Sequence, residues 1–338
     1  MTETKDVHYS REYKVEYADD YPVVTIEDQR ILIVPEGREV PVWAGDDMTI
    51  IRQPVRQVYV AASSVPDMID KIGALERVRY TSTKYEDWGI DSMKNALDDE
   101  KIAYVGKYSA PDYEYILSNG CDLVIESTMI LHSPETKEKL CKLGMPVIID
   151  YSSYESDPLA RLEWIRLYGL IFGKEETADA FFKEKEAAIN ALEDHEDRKT
   201  VAFFYITGKG QVVVRKPGDY VAKMIDMAGG KYVITTRPED ENALSTMNMQ
   251  MEAFYAEAVD ADILIYNSTI EGEIDTVDEL IAKNKLLGDF KAVKNGDVYC
   301  TGKNMYQETS SMADMIEEIH DILSESSKDD YRYFHRLK

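Results

Sequence analysis

The sequence predicts an α/β protein of two lobes, each a parallel sheet flanked by helices, joined by one long helix near the middle of the chain. Three observations lead there. Strand-like and helix-like segments alternate through both halves, the pattern of parallel sheets with crossover helices. One unit of sequence occurs twice, as "DYEYILSNGCDLVIESTMI" (Asp112–Ile130) and "QMEAFYAEAVDADILIYNSTI" (Gln250–Ile270). Each copy has an amphipathic helix with an early Glu, a short break, then Asp and an uninterrupted apolar run. Such runs suit strands buried on both faces. Between the copies lies "SDPLARLEWIRLYGLIFG" (Ser156–Gly173), whose apolar residues recur at helical spacing.

Taken in order, "QVYVAAS" reads as a strand, "SVPDMIDKIGAL" as a helix and "VRYTST" as a strand. "SMKNALDDEKIAYVG" is helix then strand. The first repeat copy follows, and "SPETKEKLCKLGMPVIID" is again helix then strand. In the central stretch Asp157 is suited to cap a helix and Pro158 to open it, and Gly173 fits its C-terminal stop. A second periodic run carries Ala178, Phe181, Phe182, Ile189 and Leu192. Beyond it, "TVAFFYIT" is a strand and "PGDYVAKMIDMAGG" a helix. The second repeat copy follows, and "VDELIAKNKLLGDFKAVKNGDVYC" is a helix leading to a strand. The expected divisions are an N-terminal lobe (1–154), an interlobe helix (155–173) and a C-terminal lobe (174–338), with Pro158 to Phe172 as the bridge.

The chain has 338 residues, 44% hydrophobic, enough for two domains with real cores. A formal net charge of −25 argues against nucleic acid and anionic membrane surfaces as partners. No apolar run is long enough to span a bilayer. The start, "MTETKDVHYSRE", is polar, which fits either a cytoplasmic protein or one whose export segment is absent from this sequence. The three cysteines (Cys121, Cys141, Cys300) are widely spaced and form neither a disulfide framework nor a zinc pattern. The five histidines show no ligand spacing, so no metal site built by the protein is expected. There is no G-x-x-x-x-G-K loop and no G-x-S-x-G elbow.

In order and spacing, "VYVAASSVPDMIDKIGALERV", "IAYVGKYSAPDYEYILSNGCDLVI", "GMPVIIDYSSYESDPLARLEWIRLYGLIFGKEETA" and "YVAKMIDMAGGKYV" resemble one family. It is that of the ABC-importer solute receptors for ferric siderophores, haem and cobalamin. The resemblance runs from about Gln53 to Leu323. It implies a ligand cleft between two lobes and an extracytoplasmic location, periplasmic or as a cell-surface lipoprotein. It also implies a monomer that delivers its ligand to ABC permease membrane subunits. Family members dock to the permease through one acidic residue on each lobe. Many relatives carry Glu before the Pro of the motif that reads here "YSAPDYEYIL"; this chain has Ala110, which leaves Glu114 as the candidate on the first lobe. Glu252 occupies the matching helix start on the second. An exposed carboxylate there would meet an Arg of the permease.

Open α/β sheets place ligands at the C-terminal ends of their strands. On that rule the ligand-facing candidates are Ser63, Ser64, Tyr85, Trp88, Ser127, Tyr154 and Glu155 from the first half. From the second come Lys209, Arg215, Arg237, Met247, Met249, Asn267 and Tyr306. Tyrosine and tryptophan faces with a few cations suit a bulky metal chelate better than a sugar. Met247, Met249 and Met251 share one face of an extended segment, which fits plain packing first, a Met-lined ligand wall second and a soft-metal site third. Glu155 either pairs with Arg161 or points at the ligand. The expected ligand is a ferric siderophore, with haem and cobalamin as alternatives, and no other cofactor. A rival of a different class is a tetrapyrrole metal chelatase, which would need a His facing an acid. His132 is the one histidine near a strand end.

Overall fold

The computed structural model describes residues 3–4, 7–193, 195, 197–235, 246–324, 328 and 330–338. They form two compact units. The first holds Met1–Glu155, Leu159–Glu184 and Gln307–Ser310; the second holds Ser156–Pro158, Lys185–Tyr306 and Ser311–Lys338.

The first unit opens with a sheet that the sequence reading did not identify. Its strands β1 (Glu3–Thr4), β2 (Tyr13–Ala18), β3 (Tyr21–Ile26), β4 (Gln29–Val34) and β5 (Met48–Arg52) pair in chain order. Then come β6 (Val58–Val60), α1 (Val65–Lys71), β7 (Val78–Thr81), α2 (Asp91–Asp98) and β8 (Ala103–Tyr104). The small hairpin of β9 (Gly106–Lys107) and β10 (Ala110–Pro111) leads to α3 (Tyr113–Asn119), β11 (Leu123–Ser127), α4 (Pro134–Lys142) and β12 (Val147–Asp150). The order β12-β11-β6-β7-β8 is parallel throughout, as the uninterrupted apolar runs require.

The central helix α5 spans Pro158–Phe172, and α6 spans Glu175–Asn190. Gly173 ends α5 at φ +65, where a side chain would be strained. From Leu159 on, α5 belongs to the first unit. It is buried nearly all round, with Leu162, Trp164, Ile165, Tyr168 and Ile171 in the interior. The N-terminal sheet explains the second covered face. Tyr13 meets Trp164 edge-on at 5.2 Å, and Val7, Tyr13 and Val15 line a small void with Leu167 and Leu170.

The second unit contains β13 (Thr200–Ile206), β14 (Val212–Arg215), α7 (Tyr220–Met227), β15 (Lys231–Tyr232), β16 (Thr246–Met249), α8 (Met251–Ala258) and β17 (Ile263–Tyr266). They are followed by α9 (Val277–Lys283), α10 (Lys291–Asn295), β18 (Val298–Thr301), α11 (Met312–Leu323) and β19 (Phe334–Arg336). Its sheet is parallel at the centre, where β17 lies between β13 and β18. Its flanks are antiparallel: β14 folds back from β13 over a tight hairpin at 207–211, and β16 and β19 pair antiparallel too. The two repeat copies thus become α3–β11 and α8–β17, one in each unit.

Candidate functional site

In the first unit, the segments leaving the C-terminal ends of the parallel strands form a rim. Ser63 and Ser64 follow β6 and are half-buried, with Ser64 at the N-terminus of α1. After β7 comes Tyr85, whose hydroxyl donates to Asp98 at 3.2 Å; that bond raises its pKa. After β11, Ser127 Oγ accepts the Met129 N–H at 3.3 Å and turns the chain into a short helix, Thr128–His132. After β12 come Tyr151 and Tyr154, with ring centroids 5.4 Å apart. Large apolar side chains stand out of this rim: Tyr85 (45% exposed), Met129 (49%), Leu131 (49%) and Tyr154 (42%). All four follow the C-terminal ends of strands in the one parallel sheet.

Burial, then the charges of Glu27 and Asp28, raise the pKa of Tyr151. Those two residues belong to the β3–β4 turn, so the N-terminal sheet adds negative charge beside the rim. Glu12 adds to it, with a pKa raised by burial and by Glu155 and Glu27.

Two candidates turn inward. Trp88 is 2% exposed, and its indole N–H meets no acceptor among the described residues. Glu155 is buried, and its carboxylate is taken up by the N-terminal segment. It accepts the Ser10 hydroxyl, the Arg11 and Glu12 amides at 3.1 Å, and Trp164 Nε1 at 3.2 Å. Arg161 reaches the backbone carbonyls of Glu155 and Ser153 instead of the carboxylate.

In the second unit, Lys209 is exposed at the tip of the β13–β14 hairpin. Arg215 ends β14 and donates to Tyr306 Oη at 2.7 Å and to Asp219 at 3.4 Å. Burial works to lower its pKa, but Tyr306, Tyr220 and Asp219 outweigh it, so the guanidinium stays charged. Its Nε meets no acceptor among the described residues. Asn267, at the end of β17, accepts the Thr269 N–H and hydroxyl at 3.1 and 2.8 Å. Ser268 is locked to Thr301, and Ile270 beyond them is 65% exposed. Met249 is in the apolar core of this unit, with Met247 packed against it. Arg237 lies outside the described residues. Of the docking candidates, Glu114 in the first turn of α3 and Glu252 in the first turn of α8 are both exposed.

Sequence reasoning missed Glu126 and Asp67. Glu126 lies on β11, fully buried, with neither oxygen partnered among the described residues; burial pushes its pKa up to about 8. Asp67, in the first turn of α1, accepts the Ser310 N–H at 2.8 Å and so holds Gln307–Ser310 in the first unit. Burial lifts its pKa to about 6 against the Ser310 hydrogen bonds. A charged residue inside an otherwise apolar strand, as in "DLVIEST", was the signal for Glu126. Among the described residues no group of three or more His, Cys, Asp or Glu could hold a metal ion.

The chain belongs to the periplasmic binding protein family, whose model matches residues 60–305. An uncharacterized lipoprotein of Methanocaldococcus jannaschii is 27% identical over 299 residues, 82% of this chain and 68% of the relative. Among solved structures, a periplasmic haem-binding protein from Pseudomonas aeruginosa superposes with a TM-score of 0.63 at 15% identity, covering 84% of this chain and 98% of that one. The petrobactin-binding protein of Bacillus subtilis gives 0.61 at 18%, covering 80% and 92%. At those identities the structural likeness establishes the fold, two α/β lobes. None of the described helices is long and apolar enough to cross a membrane.

Proposed function

We propose that this protein is an extracytoplasmic solute receptor that binds an iron chelate, a ferric siderophore in the first instance, and delivers it as a monomer to an ABC permease. The observation that carries the reading is the rim of Tyr85, Met129, Leu131 and Tyr154 at the strand ends of the first unit. Aromatic and thioether side chains cover the flat faces of a large chelate. The relatives' description as lipoproteins supports the location, and Glu114 and Glu252 are the contacts assigned to the permease.

Haem is the second reading, favoured by Met129 and Leu131, which add apolar surface without charge. The chelatase alternative predicts turnover, which insertion of Fe²⁺ or Co²⁺ into a porphyrin would reveal. The direct test is native mass spectrometry of the protein titrated with a ferric tris-catecholate, haemin and cyanocobalamin. A saturable one-to-one complex with one of the iron chelates is expected. Binding of cyanocobalamin alone, or of none of the three, would defeat the proposal.

A further inference from the structure

The N-terminal sheet precedes the residues that the family model matches, yet it takes hold of the first unit's rim. Gln29, where β4 begins, accepts the Ile149 N–H at 3.0 Å. Ile149 is on the edge strand β12, two residues before Tyr151. On the other side of the tyrosine pair, Glu155 takes the Ser10 hydroxyl and the amides of Arg11 and Glu12. Residues 10–12 and Gln29 therefore grip both ends of the loop that carries Tyr151 and Tyr154. A third contact fixes the sheet to α5: buried Glu163 accepts the amides of His8, Tyr9 and Ser10 at 3.0, 2.8 and 2.8 Å and pairs with Arg166 at 3.0 Å. Covering the apolar face of α5 requires none of the contacts to 149 and 155. Those polar contacts bracket the half-buried Tyr151 and the exposed Tyr154, with the Asp150–Ser152 turn between them.

We infer that the N-terminal sheet is a positioning element for ligand recognition, holding the Tyr151–Tyr154 pair in the geometry that contacts the ligand. The inference rests on the reading of the strand-end rim as the ligand site. Its physical basis is preorganisation: a loop fixed in advance does not lose conformational freedom again on binding.

The test uses the full chain. In Gln29→Leu the Ile149 amide loses its acceptor, while Gln29→Glu keeps an oxygen at the same reach. Hydrogen exchange of amides 150–155 in the ligand-free protein is expected to quicken at least tenfold in Gln29→Leu and to return toward the parent rate in Gln29→Glu. Affinity for haemin and for a ferric tris-catecholate, read by quenching of intrinsic fluorescence, is expected to fall about tenfold in Gln29→Leu. The same substitution in a Tyr154→Ala background is expected to cost at most twofold, because both changes act through one contact. Unchanged exchange overturns the inference. So does an affinity loss of equal size in both backgrounds, which would mark a general structural effect. If the parent binds neither probe, the ligand reading fails separately and the exchange result still decides whether the sheet positions the loop.

Discussion

The two copies of the repeated unit run in step from Asp122 and Asp262 along β11 and β17 and part company just beyond the strand ends. In the second copy, Asn267 at the end of β17 bonds to Thr269, and Ser268 is tied to Thr301 on the neighbouring strand. In the first copy the corresponding residue is Ser127, which accepts the Met129 N–H as Asn267 accepts that of Thr269, and Glu126 before it is buried with no partner among the described residues. The second rim is thus knitted together by its own strands. The first is held from outside, by the N-terminal sheet at Ile149 and Glu155, and exposes Tyr85, Met129, Leu131 and Tyr154. Their charges differ too: Glu12, Glu27 and Asp28 stand by the first rim, Arg215 and Lys209 by the second. The strand ends of the first unit are thus braced by an added sheet and carry exposed Tyr85, Met129, Leu131 and Tyr154, and those of the second are braced by their own strands and carry Ile270 with Lys209 and Arg215.

The bracing is broken most severely at Glu163. Glu163→Ala takes the acceptor from the amides of His8, Tyr9 and Ser10 and leaves Arg166 with Asp179 alone, an expected loss of about 3 kcal/mol in urea unfolding. A loss under about 1 kcal/mol, within the range of exposed ion pairs, would mean that the sheet is not anchored there.

Glu126 sharpens the contrast between the copies through pH. Its folded pKa of about 8 lies above the ordinary 4.5, so the fold retains a proton that the unfolded chain releases. Stability from this group is therefore complete below about pH 4.5 and is lost as pH rises toward 8. The loss is on the order of 5 kcal/mol, the interval from 4.5 to about 8 at about 1.4 kcal/mol per pH unit. Glu126→Gln is neutral throughout and is expected to remove that part of the pH dependence, so the variant gains on the parent from pH 5 to 9 in urea titrations. Parallel curves for parent and variant would show that the carboxyl finds a partner when ionised.

Arg215 tests the second rim. Its guanidinium already has Tyr306 and Asp219, so Arg215→Ala is expected to weaken an anionic ferric catecholate by about tenfold, near the lower end for a charge-assisted bond. An uncharged chelate titrated in parallel should be unaffected; equal losses for both would assign Arg215 to structure alone. The smallest effect belongs to Glu27, which is exposed. Glu27→Gln is expected to tighten the same anionic probe by no more than about threefold, as for solvent-screened charges. A loss of affinity would reverse the sign assigned to that wall.

Much of the architecture was legible because it rests on local patterns. The bounds of α5, Pro158 to Phe172, follow from a helix-opening proline and a terminal glycine, and the buried strands from uninterrupted apolar runs. The N-terminal sheet is written in "EYKVEYADDYPVVTIEDQRILIV" partly as short alternation, with Tyr13 and Val15 buried while Lys14 and Glu16 point outward, a weaker signal than the uninterrupted apolar runs of the parallel strands. Another clue lay in α5, which is apolar around most of its circumference and so needs a cover on both faces. Side-chain direction was the harder part. A residue next to a strand end is easily named, but whether Trp88 packs inward or Glu155 is claimed by distant amides depends on contacts far apart in sequence. Arg215 was legible as a cation near a strand end, not as a partner of Tyr306, 91 residues away.

The central claim is that the strand-end rim of the first unit is the ligand surface. Hydrogen–deuterium exchange with and without saturating haemin or ferric tris-catecholate tests it most directly. Protection is expected in 61–64, 82–88, 127–132 and 150–155, with weaker protection at 207–211 and 302–306. Protection confined to the outer helices, with those segments unchanged in a protein that demonstrably holds the ligand, would contradict it.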